Sequence, residues 1–120
     1  MNDQKPKLYD LETRTLEFAR RVRLFVRKLP KTTSNFEDIS QLVRASGSIG
    51  ANYIEANEAL SKKDFVMRIK ISRKEAKECS YWLNLVDIGN QPELNQERGQ
   101  LLQESIELMK IFSAIMRKSE

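Results

Sequence analysis

Two groups of basic residues have the type and spacing for phosphate recognition. The first falls within about half of a helical wheel, opposite an apolar stripe, and consists of Arg14, Arg20, Arg21, Arg23, Arg27 and Lys28. The second is a later arc made up of Lys70, Arg73, Lys74 and Lys77. Arginine suits phosphate because its planar guanidinium donates paired hydrogen bonds. All ten residues are therefore candidates for nucleic-acid binding, with a solvated surface as the alternative.

The surroundings of these cations indicate the kind of nucleic acid. No aromatic residue interleaves with these arginines on the basic faces, so base stacking is not predicted. Contacts with the phosphate backbone and with overall shape should dominate, which favours structured RNA. The net charge of +4 is unevenly spread, since residues 1–31 and 61–91 are basic and 32–60 and 92–120 are acidic. The acidic segments can help neighbouring elements pack, or they can leave basic faces free for an anion.

A second set of polar residues follows a helical repeat. Arg44, Ser48, Asn52 and Glu55 recur at i, i+4, i+8 and i+11 beside an apolar stripe. Glu75 and Glu78 flank another apolar strip, and Arg44 is their expected ion-pair partner. Polar groups need hydrogen-bond partners when they are buried. We predict a structural polar network or an interface that includes Arg44, Ser48, Asn52, Glu55, Glu78 and Trp82.

Gly47 and Gly50 lie within the same segment, in the sequence ASGSIGA. Their spacing matches neither of the glycine-rich phosphate loops nor a nucleophile elbow, and no strand precedes them. Each glycine lowers helix propensity by about 1 kcal/mol relative to alanine. We therefore interpret them as positions where another backbone approaches closely.

Several classes of catalytic site lack the residues they need. The sequence contains no histidine and a single cysteine, Cys79. Histidine is the commonest general base and the commonest metal ligand, and thiolate metal sites need several cysteines. We expect no enzymatic activity, no catalytic residue, no metal site and no cofactor, and we expect Cys79 to be a packed, inert thiol.

Apolar residues at three- and four-residue spacing predict four helices, over about residues 10–29, 36–59, 62–88 and 92–118. Pro30 ends the first helix, Gly89 ends the third, and Pro92 begins the fourth. Ser34 or Asn35 is expected to cap the second helix, and Ser61 with Asp64 forms a capping-box sequence for the third. Four long helices joined by short loops predict one all-α domain over residues 1–120, an up-down-up-down antiparallel four-helix bundle.

The remaining features concern location and assembly. No run of about 18 apolar residues occurs, and the polar first ten residues do not resemble a signal peptide. A lone cysteine suits a reducing compartment, so we expect a cytoplasmic protein without membrane contact. Tyr81, Trp82 and Leu85 together exceed what a monomer is expected to bury, which favours self-association.

The second and third helices carry fixed polar positions that resemble a known family. The matching residues are Gln41 to Ala45, Ser48, Ile49, Asn52 and Glu55, then Asp64, Phe65, Lys74 to Ala76, Glu78 and Tyr81 to Leu83. With Leu29-Pro30-Lys31, they resemble the bacterial four-helix-bundle family named for ribosomal-RNA intervening sequences, over about residues 10–118. Ala56 stands where the family often has glycine, and Gly47 is an additional glycine, which indicates a subgroup.

This resemblance implies an up-down bundle that assembles into ring-like pentamers. Some relatives are encoded inside intervening sequences of large-subunit ribosomal RNA genes. A related group serves as accessory proteins to the reverse transcriptases of diversity-generating retroelements and binds nucleic acid through basic surfaces. The leading hypothesis is therefore a homo-oligomer, most simply a pentamer, that binds structured RNA or other nucleic acid. The alternative is a protein-interaction scaffold or accessory subunit, with a partner such as a polymerase.

Overall fold

The computed structural model describes residues 11–120, which form four helices and contain no strand. The helices are α1 (Leu11–Val26), α2 (Thr33–Asn57), α3 (Lys62–Leu85) and α4 (Pro92–Ser119). Each helix packs against its neighbours in the chain, and α4 also packs against α1, which closes the bundle. The backbones of the diagonal helices do not approach closely, although Tyr53 of α2 and Phe112 of α4 meet edge-on in the core with their ring centroids 5.8 Å apart. The predicted all-α four-helix bundle is confirmed.

The α1–α2 turn begins and ends at different residues from those predicted. Helix α1 ends at Val26, and the chain then tightens, with Lys28 N donating to Phe25 O at 3.1 Å. Helix α2 begins earlier than expected because Thr32 is its N-cap, and Thr32 Oγ1 accepts a hydrogen bond from Asn35 N at 3.1 Å. The predicted caps Ser34 and Asn35 were therefore wrong.

Asn35 instead ties two loops together from a buried position. Its Nδ2 donates to Pro30 O and to Asp87 O, both at 2.9 Å. Its Oδ1 accepts from Asp87 N, also at 2.9 Å. Since the side chain is only 1% exposed, these bonds satisfy its donors and acceptor away from water. The α1–α2 turn is thereby fixed against the end of α3.

The same contact explains where α3 ends. The predicted N-cap is present, because Ser61 Oγ accepts from Asp64 N at 3.1 Å. Helix α3 stops at Leu85, three residues before the predicted end, because the backbone groups of Asp87 are bonded to Asn35 instead of to the helix. Gly89 then takes a positive φ of 67° in the turn before α4. A residue with a side chain would be strained there.

The core is a single apolar cluster to which every helix contributes. Residues of α1 at three- and four-residue spacing are buried, and Val26 at the end of the helix is half-buried. The buried residues are Leu11, Thr15, Phe18, Ala19, Val22 and Phe25. The largest fully buried side chains include Phe18, Phe25, Leu42, Ile69, Leu101 and Phe112. Helices that present one apolar stripe to a common centre leave their other faces to solvent. The charged residues therefore lie on the outside of the bundle or along its seams.

A close approach between helices supports the interpretation of the glycines in α2. A Cβ atom added to Gly50 would lie 2.6 Å from Thr15 Oγ1 and 3.1 Å from Thr15 Cβ. Only a residue without a side chain therefore allows α1 to cross α2 at this distance. Gly47 is less restricted, since its Cβ would lie 3.4 Å from Arg23 Nη2.

Candidate functional site

The basic residues of α1 and of the turn that follows it divide into two groups, and the first faces α4. Arg14 forms a bidentate pair with Glu104, with Nε–Oε2 at 2.8 Å and Nη2–Oε1 at 2.9 Å. Its Nη2 also lies 2.7 Å from Glu107 Oε1. Lys28 Nζ lies 2.7 Å from Glu97 Oε1. These two predicted nucleic-acid residues therefore have an internal role, since they connect α1 to the acidic face of α4.

The protonation of this seam fits an ion pair. The hydrogen bond from Arg14 to Glu104 raises the pKa of the Arg14 guanidinium above its ordinary value, despite some opposing desolvation. A hydrogen bond from Gln103, and to a smaller extent one from Arg14, lowers the pKa of Glu107. Arg21 lies on the same side of α1, beside Lys28 and the α4 residues Glu93 and Glu97. The seven-residue spacing of Arg14 and Arg21 places both on one face of α1, and Lys28 lies in the turn that follows the helix.

The second group points away from α4. Arg20, Arg23 and Arg27 are exposed. Arg20 contacts Glu17 on its own helix at 3.4 Å, an exposed pair of a kind that contributes little to stability. Arg23 Nη1 donates to Ala19 O at 3.2 Å. These three arginines form what we call the α1 outer face.

A shallow apolar groove of about 450 Å³ lies next to the α1 outer face, between α1 and α2. Its apolar lining consists of Leu16, Ala19, Gly47, Gly50, Ala51 and Ile54. Leu16 is 49% exposed and Ile54 is 47% exposed. Arg20 and Arg23 also border the groove, as does Glu12. An apolar surface with charged edges is typical of a protein contact.

The basic residues of α3 form a separate surface. Lys70, Lys74 and Lys77 are exposed, whereas Arg73 is half-buried. Because α3 lies diagonally across the bundle from α1, with no close backbone approach between them, the ten predicted residues do not form one continuous patch. Sequence analysis placed the two groups on different helices but could not tell how far apart they lie, because a helical wheel carries no information about neighbouring helices.

The polar network between α2 and α3 has Glu75 as its buried member, only 5% exposed. Arg44 Nη1 and Nη2 each lie 3.4 Å from a Glu75 carboxylate oxygen. Arg44 Nη2 also lies 3.5 Å from Glu78 Oε1. The structure thus brings Arg44 and Glu78 together around Glu75. A buried carboxylate needs such a partner, because an unpaired charge away from water is costly.

Asn52 makes a second link between the same helices. Its Nδ2 donates to Ser48 O at 3.0 Å and to Ser48 Oγ at 2.9 Å. Its Oδ1 accepts from Arg68 Nη1 of α3 at 3.0 Å. Sequence analysis missed Arg68, because only the structure shows that it lies opposite Asn52. Glu55 is exposed and has no side-chain hydrogen bond within residues 11–120, so it lies outside this network.

Trp82 and Cys79 complete this region of α3. Trp82 is half-buried, and its ring packs edge-on against Tyr81 with the centroids 4.9 Å apart. Its Nε1 is buried without a hydrogen-bond partner among residues 11–120. Cys79 is fully buried, and burial, with a smaller contribution from the Glu75 charge, raises the pKa of its thiol. A thiol held in its neutral form is a poor nucleophile.

Two further findings concern metal binding and membrane spans. Residues 11–120 contain no group of three or more metal-ligating side chains arranged to hold an ion. None of the helices in the same range is both long enough and apolar enough to cross a membrane.

Comparison with known proteins places this fold in a family. The sequence model for the 23S rRNA-intervening sequence protein matches residues 9–114. The chain belongs to this family. Its match spans all four helices of the bundle except the end of α4, so the 23S rRNA-intervening sequence family accounts for the whole architecture rather than one motif.

A solved structure supports the same assignment. It is that of a protein of unknown function from the S23 ribosomal protein family of Bacteroides thetaiotaomicron, with 32% sequence identity and a TM-score of 0.75. The similarity covers 88% of this chain and 96% of the other. No curated protein matches the chain. The resemblance drawn from the polar positions of the second and third helices is therefore confirmed for family and fold.

Proposed function

We propose that this chain is a non-catalytic, oligomeric protein that binds nucleic acid, structured RNA above all, through exposed basic helix surfaces. The observation that supports this function is that some of the basic residues are paired with carboxylates inside the bundle while others remain exposed. Carboxylates of α4 neutralise Arg14 and Lys28, yet the α1 outer face and the α3 lysines remain exposed. Exposed cations without buried partners are available to phosphate, and release of counterions favours such binding. Membership of a family named for an intervening sequence of 23S rRNA agrees with RNA as the ligand.

The test is a salt titration of binding to structured RNA, duplex DNA and single strands. We expect affinity that is high at low salt and falls steeply as salt rises, because each phosphate contact releases a counterion. The triple variant Arg20→Glu, Arg23→Glu, Arg27→Glu should bind more weakly and with a flatter salt dependence.

The matched control makes the same change in net charge on another surface of the bundle. It replaces three exposed cations of α4 with glutamate: Lys110, Arg117 and Lys118. Equal losses in both triple variants would indicate a general charge effect. Absence of binding by the unaltered protein at low salt would reject the nucleic-acid function.

Self-association is part of this proposal, with a homopentamer as the expected assembly. The α1–α2 groove is the surface that best supports it, because Leu16 and Ile54, each about half exposed, both line it. A second copy of the chain is the proposed occupant. A pentamer would multiply the net charge of +4 five-fold and repeat each basic surface around the assembly, which strengthens binding to a long anion.

A protein-interaction scaffold is the second candidate function. Exposed Tyr81 and Leu85 on α3 favour it, because they lie apart from the α1–α2 groove and remain available when that groove is filled. The proposed partner is a polymerase acting on the same nucleic acid. Direct binding of a purified polymerase to nuclease-treated protein would support this function, and binding only through added nucleic acid would reject it.

We propose the cytoplasm as the compartment, where Cys79 stays reduced.

A further inference from the structure

The outer surface of α3 carries a straight row of exposed residues that ends in an aromatic ring. Met67, Lys70, Lys74, Lys77 and Tyr81 follow one another at spacings of three and four residues, and all five are exposed. Residues at this spacing lie on one side of a helix. The row from Lys70 to Tyr81 is about 16 Å long at 1.5 Å per residue. We call these last four residues, without Met67, the α3 lysine–tyrosine row.

The lysines of this row have no compensating charge within the bundle. None of the three forms an ion pair among residues 11–120. The nearest carboxylates along the helix, Glu75 and Glu78, are already paired with Arg44. Like charges three and four residues apart repel each other and destabilise a helix. An anion bound along the row would relieve this repulsion.

Tyr81 supplies a flat surface at one end of the row. It is 61% exposed, so most of its ring is accessible. The ring also packs edge-on against Trp82, with the centroids 4.9 Å apart and the planes at 82°, so one side of it is supported. An exposed aromatic ring that is supported from one side is suited to stacking on a nucleobase.

We propose that the α3 lysine–tyrosine row binds an unpaired nucleic-acid strand. Lys70, Lys74 and Lys77 contact successive phosphates, and Tyr81 stacks on the base that follows them. This inference rests on the nucleic-acid function proposed above and identifies the ligand more narrowly.

The combination of groups decides between an unpaired strand and a duplex. A row of lysines alone would serve either one. A stacking ring selects the unpaired strand, because bases within a duplex are already stacked on each other and present only their edges in the grooves. Structured RNA contains such strands in its loops and bulges, which is where proteins most often read RNA.

The experiment follows the emission of Trp82, the only tryptophan in the chain, as an RNA strand is added. The probes are a single-stranded oligouridylate and a blunt-ended RNA duplex with the same number of phosphates. We expect the strand to change the emission, because stacking on Tyr81 occurs in contact with Trp82. Tyr81→Ala should weaken binding of the strand about tenfold or more and leave binding of the duplex nearly unchanged. Tyr81→Phe keeps an aromatic ring and should retain binding of the strand. Phe36→Ala, which removes an aromatic residue of similar exposure (63%) from α2, is the control.

The lysines are tested by comparing two variants that each lose three charges. Lys70→Gln, Lys74→Gln, Lys77→Gln should reduce the slope of log affinity against log salt for the strand by about two. Arg20→Gln, Arg23→Gln, Arg27→Gln should leave the Trp82 response intact. Binding of the strand that is unaffected by Tyr81→Ala and by the lysine variant would overturn this inference while the α1 outer face still supports nucleic-acid binding. Failure of every nucleic acid to bind would instead reject the proposed function.

Discussion

Asn35 shows how a single polar side chain determines the positions of two loops. Its three side-chain hydrogen bonds join Pro30 to Asp87, which are far apart in the chain. Because these bonds are buried, they replace bonds to water that the same backbone groups would otherwise make. Glu75 acts similarly between α2 and α3, where its buried carboxylate is held by Arg44. Both residues are buried and polar, which could suggest a ligand-binding role, but their side chains hold the structure together.

Replacing Asn35 tests this role directly. Asn35→Ala should lower the free energy of unfolding by about 2–3 kcal/mol, because buried backbone groups of Asp87 and Pro30 lose their partners. Asn57→Ala, at an exposed position at the end of α2, is the control and should change stability by less than about 0.5 kcal/mol. Urea denaturation followed by circular dichroism measures both. Equal stability of the two variants would contradict the structural role of Asn35.

At the scale of helices, α1 is held by two different kinds of contact. Gly50 allows its close crossing with α2 at Thr15. On the other side, Arg14 and Lys28 pair with carboxylates of α4. The first contact depends on shape and the second on charge, so they respond differently to substitution and to salt.

The glycines of α2 and α4 predict opposite effects of the same substitution. Gly50→Ala should destabilise the protein by about 1–2 kcal/mol, because the clash with Thr15 outweighs the gain in helix propensity. Gly99→Ala should stabilise it by up to about 1 kcal/mol, since nothing lies within 4 Å of the added Cβ and alanine favours the helix. Thermal denaturation of both variants is the measurement. A stabilising Gly50→Ala would show that α1 and α2 do not pack as closely as described.

The charge contact of α1 can be tested in the same way. Arg14→Gln should cost about 1–2 kcal/mol of unfolding free energy, because Glu104 loses a bidentate partner in a site where both side chains are mostly buried. Arg20→Gln should be nearly neutral, since its pair with Glu17 is exposed. Urea denaturation at low and high salt measures both effects. The difference between the two variants should shrink as salt rises, and a difference that grows would contradict an electrostatic role.

Acid should weaken the same contact. The pKa of Glu107 is lowered in the folded state by Gln103 and Arg14, so its contribution to stability is present above the ordinary glutamate pKa and is lost as the pH falls through the lowered value. Glu107→Gln should therefore differ from the unaltered protein at neutral pH and converge with it in acid. A stability difference that persists in acid would point to a contribution other than ionisation.

At the scale of the whole molecule, the bundle separates its surfaces by chemistry. The α1–α2 groove is apolar, the α1–α4 seam is a row of ion pairs, and the outer side of α3 is cationic. The family relationship accounts for the architecture. The chemistry of each surface determines which kind of partner it can contact. Assembly through the groove would leave the α3 lysine–tyrosine row outside the interface.

Assembly can be tested at the groove without touching the basic surfaces. Leu16→Glu and Ile54→Glu should each shift the protein to a smaller species in sedimentation equilibrium, because a charge placed in an apolar contact is left unpaired. Leu24→Glu is the matched control, since Leu24 is equally exposed on α1 (54%) but does not line the groove. An unchanged mass in Leu16→Glu and Ile54→Glu would show that the α1–α2 groove is not the interface between copies of the chain.

Local sequence was sufficient to predict the four helices and the apolar spacing that places residues of each helix in the core. Residues of α1 such as Phe18 and Val22 repeat at the period of a helix, and Pro92 begins α4 as predicted, whereas α1 ends at Val26, earlier than Pro30 predicted. These properties depend on a few neighbours along the chain, so they can be read without a structure. The end of α3 was predicted too late, because it depends on Asn35, a residue from a different helix.

The candidate site depends on contacts that the linear sequence does not contain. Whether Arg14 is available to a ligand is decided by Glu104, ninety residues away in the chain. Whether Tyr81 can stack on a base is decided by its exposure and by the packing of Trp82 beside it. The sequence alone determined which residues are cationic, apolar or helix-forming, because those are properties of the residue and its near neighbours. Only the tertiary structure decided which cations are neutralised, because electrostatic pairing depends on distance in space.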